Sequence, residues 1–110
     1  ASNAPVQFSL KQSGLIADIT VTPARVGSAE IHVSIGSLVG SFAQMTSVSG
    51  RMSLPSKSIP NGPIELERTS PNHYTATVNF PFSGLWHIEF VVKPDPTRTV
   101  LFTTDVKVGE

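Results

Sequence analysis

The sequence predicts an all-β chain, an immunoglobulin-like antiparallel β-sandwich of about seven strands. Three observations carry that expectation. Several runs alternate apolar and polar residues with the period of two that a half-buried strand requires. Nine prolines and eight glycines recur at short intervals and leave no uninterrupted stretch for a long amphipathic helix. At 110 residues the chain has room for one core. The usual intersheet cysteine pair of such sandwiches is missing, because the chain has no cysteine. Trp86, the lone tryptophan, is the natural packing centre in its place.

Taken in order, Ser2-Asn3-Ala4 reads as a remnant of tag cleavage, so residues 1–4 are set aside and 5–110 form one domain. Ala17, Ile19 and Val21 alternate with Asp18, Thr20 and Thr22, a strand with one dry face that stops at Pro23. After the turn Pro23-Ala24-Arg25-Val26-Gly27, Ile31, Val33 and Ile35 alternate with His32 and Ser34. Residues 45–54 are less regular, with Val48, Met52 and Leu54 as inward candidates in one or two strands. Residues 56–63 read as a loop and 64–68 as a short strand near a sheet edge, closed by the turn Ser70-Pro71-Asn72. Tyr74, Ala76, Val78 and Phe80 form the cleanest run. A corner over 81–84 then leads into Trp86, Ile88, Phe90 and Val92. Pro94-Asp95-Pro96-Thr97 is a turn because proline fixes φ and cannot donate to a ladder, and Val100, Phe102, Val106 and Val108 complete a final hairpin.

Eight basic residues balance eight acidic ones, and charged residues make up only 15% of the chain, so no broad footprint for nucleic acid or anionic lipid is visible. The longest apolar runs fall far short of the roughly 20 residues needed to span a bilayer, which excludes direct membrane insertion by this segment. No serine has a nucleophile-elbow context, and no Walker or dinucleotide glycine motif is present. Glu65 and Glu67 share one side of the short strand, a spacing that favours a solvated face over an acid/base pair. Gly36, Gly40 and Gly50 are expected at strand ends, for backbone conformation or close packing.

Val21-Thr22-Pro23-Ala24-Arg25-Val26-Gly27, then Leu54-Pro55 with Ile59-Pro60, then Tyr74-Thr75-Ala76 with Phe80-Pro81-Phe82-Ser83-Gly84-Leu85-Trp86 form three stretches that together resemble YtkA-like domains, including the version at the C-terminus of copper-resistance D type membrane proteins. In order and spacing they cover most of the chain from about Leu15 to Val108. The first block is the most specific, since a generic sandwich does not demand that turn. The resemblance implies a non-catalytic domain outside the cytoplasm, at the cell surface or in the periplasm, tethered through a membrane-spanning parent implicated in copper uptake or resistance. Its implied partners are the transmembrane region of that parent or a copper-binding protein. The family's copper-binding domains place a histidine at the mature N-terminus; this chain lacks one there, and that ligand set is not carried over.

Copper(I) favours thioether and imidazole, copper(II) imidazole and oxygen, so His32, His73, His87, Met45 and Met52 are the candidates. No cofactor is required, and copper is the one these residues could accept. Alternation places all three histidines on outward faces. His32 and His73 fall on neighbouring strands, expected several residues apart in register, and make a candidate weak surface metal site. His87 stands beside Glu89, Met52 is core filler, and Met45 has no clear place. Arg25 either caps its turn by hydrogen bonding to loop carbonyls or contacts the membrane part of the parent. The segment 36–46, with Leu38, Val39 and Phe42, offers a second contact surface or folds under the sandwich edge. The rival functional reading is a structural or adhesion sandwich unrelated to metal; a small secreted enzyme is a third.

Overall fold

A strand with one apolar face is stable only when that face is covered, and this chain covers it by packing two sheets against each other. The computed structural model describes residues 5–38 and 45–110. The strands are β1 (Val6–Gln12), β2 (Leu15–Thr22), β3 (Gly27–Ser37), β4 (Ser47–Leu54), β5 (Ile59–Ile64), β6 (Glu67–Ser70), β7 (His73–Phe80), β8 (Gly84–Lys93) and β9 (Val100–Val108), with a 3-10 turn at Pro55–Lys57. One sheet has the order β1-β2-β3-β7-β6 and the other β5-β4-β8-β9, and every strand pairing is antiparallel. The series β2-β3-β7-β6 follows the A-B-E-D order of an immunoglobulin sheet, and β4-β8-β9 the C-F-G order. Strand β1 is an addition outside β2.

The inward residues are those that alternation selects. Ile19, Val21, Ile31, Val33 and Phe80 from the first sheet are buried, as are Ile88, Phe90, Val92 and Val106 from the second. Trp86 is 2% exposed, and its ring stands 5.4 Å from that of Phe80, which belongs to the opposite sheet. Its indole Nε1–H donates to the Phe82 carbonyl at 2.8 Å. The tryptophan therefore joins the two layers, as the missing disulfide would have done, and also fixes the corner between β7 and β8.

Among the described residues there are nine strands where about seven were expected. Strand β1 is read from Val6, Phe8 and Leu10, which alternate with Gln7, Ser9 and Lys11 and pair with β2. Strand β5 occupies much of the expected loop at 56–63. Its two prolines and one glycine look like loop chemistry, but it is an edge strand paired with β4 alone, where proline is tolerated because half of the N–H groups face outward. The expected strand at 64–68 is divided: Ile64 closes β5 in one sheet, Glu67 opens β6 in the other, and Glu65 and Leu66 make the crossing. Residues 47–54 form one strand, whose register against β5 shifts between Met52 and Leu54 so that Ser53 and Leu54 are both buried. Gly50 lies inside β4 rather than at its end, whereas Gly36 is the penultimate residue of β3. A β-carbon on Gly50 would stand 3.1 Å from the Phe90 ring, so close packing selects glycine there. Gly40 lies outside the described residues.

The turn that begins at Pro94 is held by Asp95. Its carboxylate accepts from the Thr97 hydroxyl at 2.7 Å, the Thr97 backbone N–H at 2.9 Å and Arg98 Nε at 2.7 Å. The Thr97 hydroxyl first, then Arg98 and the Thr97 amide, pull the carboxyl from 3.8 down to about 2. A folded-state value below the unfolded one stabilises the fold above the unfolded value and loses that contribution as pH falls through the folded one. Asp95→Asn is therefore expected to lower the urea midpoint at pH 6, with the gap to wild type closing as the pH falls from about 4 towards 2. A gap that is constant with pH would assign the effect to something other than this carboxylate.

Candidate functional site

The register brings the candidate histidines closer than the sequence suggests. His32 on β3 lies opposite Thr75, and His73 on β7 lies opposite Ser34. The two imidazoles thus occupy a cross-strand diagonal rather than positions several residues apart, with ring centroids 6.3 Å apart. Both side chains already have partners. His32 Nε2 meets Glu30 Oε1 at 3.0 Å, and His73 Nδ1 meets the Ser34 hydroxyl at 2.6 Å. As a donor set for copper this is two half-buried imidazoles with one exposed carboxylate near the first. Among the described residues no cluster of three or more His, Cys, Asp or Glu is arranged to hold a metal ion. The residues fit a weak, open site and not a closed one.

Beside His32 runs a groove of about 550 Å³ lined by Glu30, His32, Glu65, Leu66, Glu67, Thr75, Ala76 and Thr77. Strand β7 forms its floor through Thr75 and Thr77, and the crossing from β5 to β6 forms one wall. Glu65 and Glu67 therefore face Glu30 and His32 across a depression, a grouping that sequence reasoning missed. It depends on where the chain changes sheets, which no local pattern reveals. The Ser34–His73 pair lies on the flat outer face of two central strands whose backbone N–H groups belong to the ladder, so none of these amides is free to face an oxyanion.

His87 occupies the outer face of the other sheet, and its expected neighbour Glu89 is present at 3.9 Å from Nε2. Its nearer partner is Asp105, 2.9 Å from Nδ1, directly opposite on β9. Arg51 Nε donates to Glu89 at 2.8 Å, and that hydrogen bond draws the Glu89 carboxyl below its ordinary value. Met52 is half-buried against the core, and Met45 is buried beside Asn72.

The two interaction candidates lie at opposite ends. Arg25 is at the end where β2 gives way to β3, and Leu38 follows the far end of β3, whose eleven residues span about 33 Å. Leu38 is half exposed, with its N–H donating to the Gly14 carbonyl at 2.9 Å. Phe42 and Val39 lie outside the described residues. The Arg25 turn is not capped by its side chain. It is tied through backbone bonds from Val26 N–H to the Gly109 carbonyl at 2.7 Å and from Gly109 N–H to the Ala24 carbonyl at 3.0 Å. The guanidinium is exposed, and no hydrogen-bond or ion-pair partner for it is found among the described residues.

Of the other resemblance-bearing segments, Leu54-Pro55 with Ile59-Pro60 and Phe80–Trp86 gather at the Arg25 end, while Tyr74-Thr75-Ala76 lies further along β7, opposite Ile31–Val33. Pro55–Lys57 follows β4 there, and the Lys57 ammonium stands 5.3 Å from the centre of the Phe82 ring. Gly84, with φ of 137°, leaves room for Leu54, whose Cδ1 would be 3.1 Å from any β-carbon. The turn after β2, the segment after β4 and the corner before β8 are far apart in sequence and neighbours in space.

No family model and no curated protein matches the chain. Its fold recurs in solved structures. FetP from uropathogenic Escherichia coli strain F11, recombinantly expressed in the E. coli periplasm, aligns over 98% of both chains with a TM-score of 0.69 at 8% identity. A DUF4785 family protein from Legionella pneumophila aligns over 90% of this chain with a TM-score of 0.66 at 13% identity. This chain covers 30% of the length of that protein. At such identities the likeness establishes the architecture alone: a two-sheet antiparallel β-sandwich, as the alternation in the sequence predicts.

Proposed function

We propose that the chain is a non-catalytic, extracytoplasmic accessory domain of a bacterial copper-transport membrane protein, and that it works through its surface against the transmembrane part or a copper-delivering partner. One observation supports this above the others. Most of the segments that carry the YtkA-like resemblance, Val21–Gly27, Leu54-Pro55 with Ile59-Pro60 and Phe80–Trp86, meet at one end of the sandwich, with Arg25 exposed at its rim and the turn bonded to Gly109. The rival, a structural or adhesion sandwich unrelated to metal, draws support from the lack of a three-donor metal group among the described residues.

The two readings part over the parent gene, where the accessory role requires several apolar segments of about 20 residues in the same reading frame. In such a parent, deleting this domain is expected to change copper accumulation. Unchanged accumulation would favour the rival. The isolated chain gives a second test. Calorimetric titration with copper(II) is expected to show weak binding that either His32→Ala or His73→Ala lowers at least tenfold, since each removes half of the imidazole donors. No heat with either oxidation state would remove metal binding from this face and leave only the contact role.

A further inference from the structure

We infer that the end of the sandwich carrying Arg25, Lys57, Phe82 and Leu85 docks on an anionic lipid bilayer surface. The inference deepens the proposed function, on which it rests for placing the domain beside a membrane. It names lipid headgroups as what this end meets.

The fold undoes the charge balance of the sequence. Of the eight basic residues, Arg51 and Arg98 are neutralised by Glu89 and Asp95 on the sheets and the far loop. Arg25, Lys57 and Lys107 lie at this end with no carboxylate partner among the described residues; Glu110 is the acidic residue at its tip, and Asp105, two residues along β9 from Lys107, is bonded to His87. Between these cations stand Val26, Phe82 and Leu85, exposed at 39, 45 and 54%. Single exposed apolar residues are ordinary, but three on adjoining turns with a rim of unpaired cations are not. Val26 comes from the turn after β2 and Phe82 and Leu85 from the corner that leads into β8, with Leu85 and Lys107 lining a depression of about 530 Å³. Lys57 lies over the Phe82 ring, the arrangement in which an ammonium stays among headgroups while the ring enters the acyl boundary. Strand β1 also enters the fold here, because Val6 lies opposite Val21. A membrane span upstream, as the proposed function requires, would bring this end to the bilayer first.

The test is NMR of the isotope-labelled 110-residue chain with vesicles of phosphatidylcholine alone and of phosphatidylcholine mixed equally with phosphatidylglycerol, each with and without a spin-labelled lipid. Each Lys or Arg near an anionic surface is worth about fivefold in partitioning. The variant Arg25→Gln/Lys57→Gln/Lys107→Gln, which removes the three cations, is therefore expected to partition about 100-fold more weakly into the anionic vesicles. Phe82→Ser is expected to weaken binding on its own. In wild type, broadening by the spin label should fall on the amides of Val26, Phe82 and Leu85, spare Ser13 and Gly14 at the other end, and fade as salt rises. All these side chains are exposed, so unchanged thermal melts check that the variants fold. The inference is overturned by absent binding to anionic vesicles, by broadening on another face, or by partitioning that the triple variant does not alter. It is also overturned if sedimentation without lipid shows a dimer that Phe82→Ser dissolves, because a second copy would then be the occupant. Copper plays no part in this experiment, so a negative result leaves the accessory role standing with a protein partner, and a failed copper titration leaves the lipid result standing.

Discussion

Trp86→Ala is expected to destabilise the fold by about 3–5 kcal/mol, which is a large part of the roughly 5–15 kcal/mol that holds a domain together. The indole is 2% exposed and packs at 5.4 Å on Phe80 of the opposite sheet. Its removal leaves a cavity between the layers at a position where no disulfide takes up the load. The Phe82 carbonyl also loses its donor, although it sits at a corner that water can reach. Trp86→Phe separates these contributions: most of the apolar volume returns, the hydrogen bond does not, and the expected cost falls to about 1–2 kcal/mol. Urea denaturation checks both, with the slope held constant so that the shift in midpoint reports stability. An alanine variant that loses less than about 1 kcal/mol would show that the two layers are joined elsewhere.

The same tryptophan links stability to surface function. Its bond to the Phe82 carbonyl holds the corner that presents the Phe82 ring beneath Lys57. The core therefore sets the geometry of an exposed end, and Trp86→Phe should loosen that corner while the sandwich remains folded.

How much of this was legible in the sequence follows from what local pattern can encode. Period-two alternation locates β2, β3, β7, β8 and β9, because each has one face against the core and one against water. It fails for β5, where Pro60, Gly62 and Pro63 satisfy an edge position that needs few donors but resemble a loop when read alone. It fails again at Glu65 and Leu66, where the chain passes between sheets, so the groove shared by Glu30, His32 and the two glutamates was hidden. The outward direction of His32 and His73 was readable, but their separation was not, since cross-strand register is set by pairing partners some forty residues away. The cationic end was hidden for a related reason. Arg25, Lys57 and Lys107 are scattered in sequence, and equal totals of acid and base say nothing about how the fold distributes them.

Asn72 shows what a turn residue can hold beyond its turn. In the sequence it completes Ser70-Pro71-Asn72, whereas in the structure it is 4% exposed with φ of 60°. Its side-chain Oδ1 accepts the buried Met45 N–H at 2.7 Å, and its backbone carbonyl accepts the Ile35 N–H at 2.9 Å. Asn72→Ala is expected to cost about 2–4 kcal/mol. Roughly 1 kcal/mol of this comes from placing a β-carbon in the left-handed region without a side chain suited to it, and about 1–3 from leaving the Met45 amide unpaired. Asn72→Gly relieves the backbone but cannot supply the acceptor, so its cost should fall to about 1–3 kcal/mol. Amide hydrogen exchange distinguishes the two contributions residue by residue. With glycine, exchange at Met45 should accelerate markedly while Ile35, bonded to the carbonyl that glycine keeps, stays protected. Equal acceleration at both amides would mean that the whole turn had opened and that the side-chain bond was not what anchored Met45.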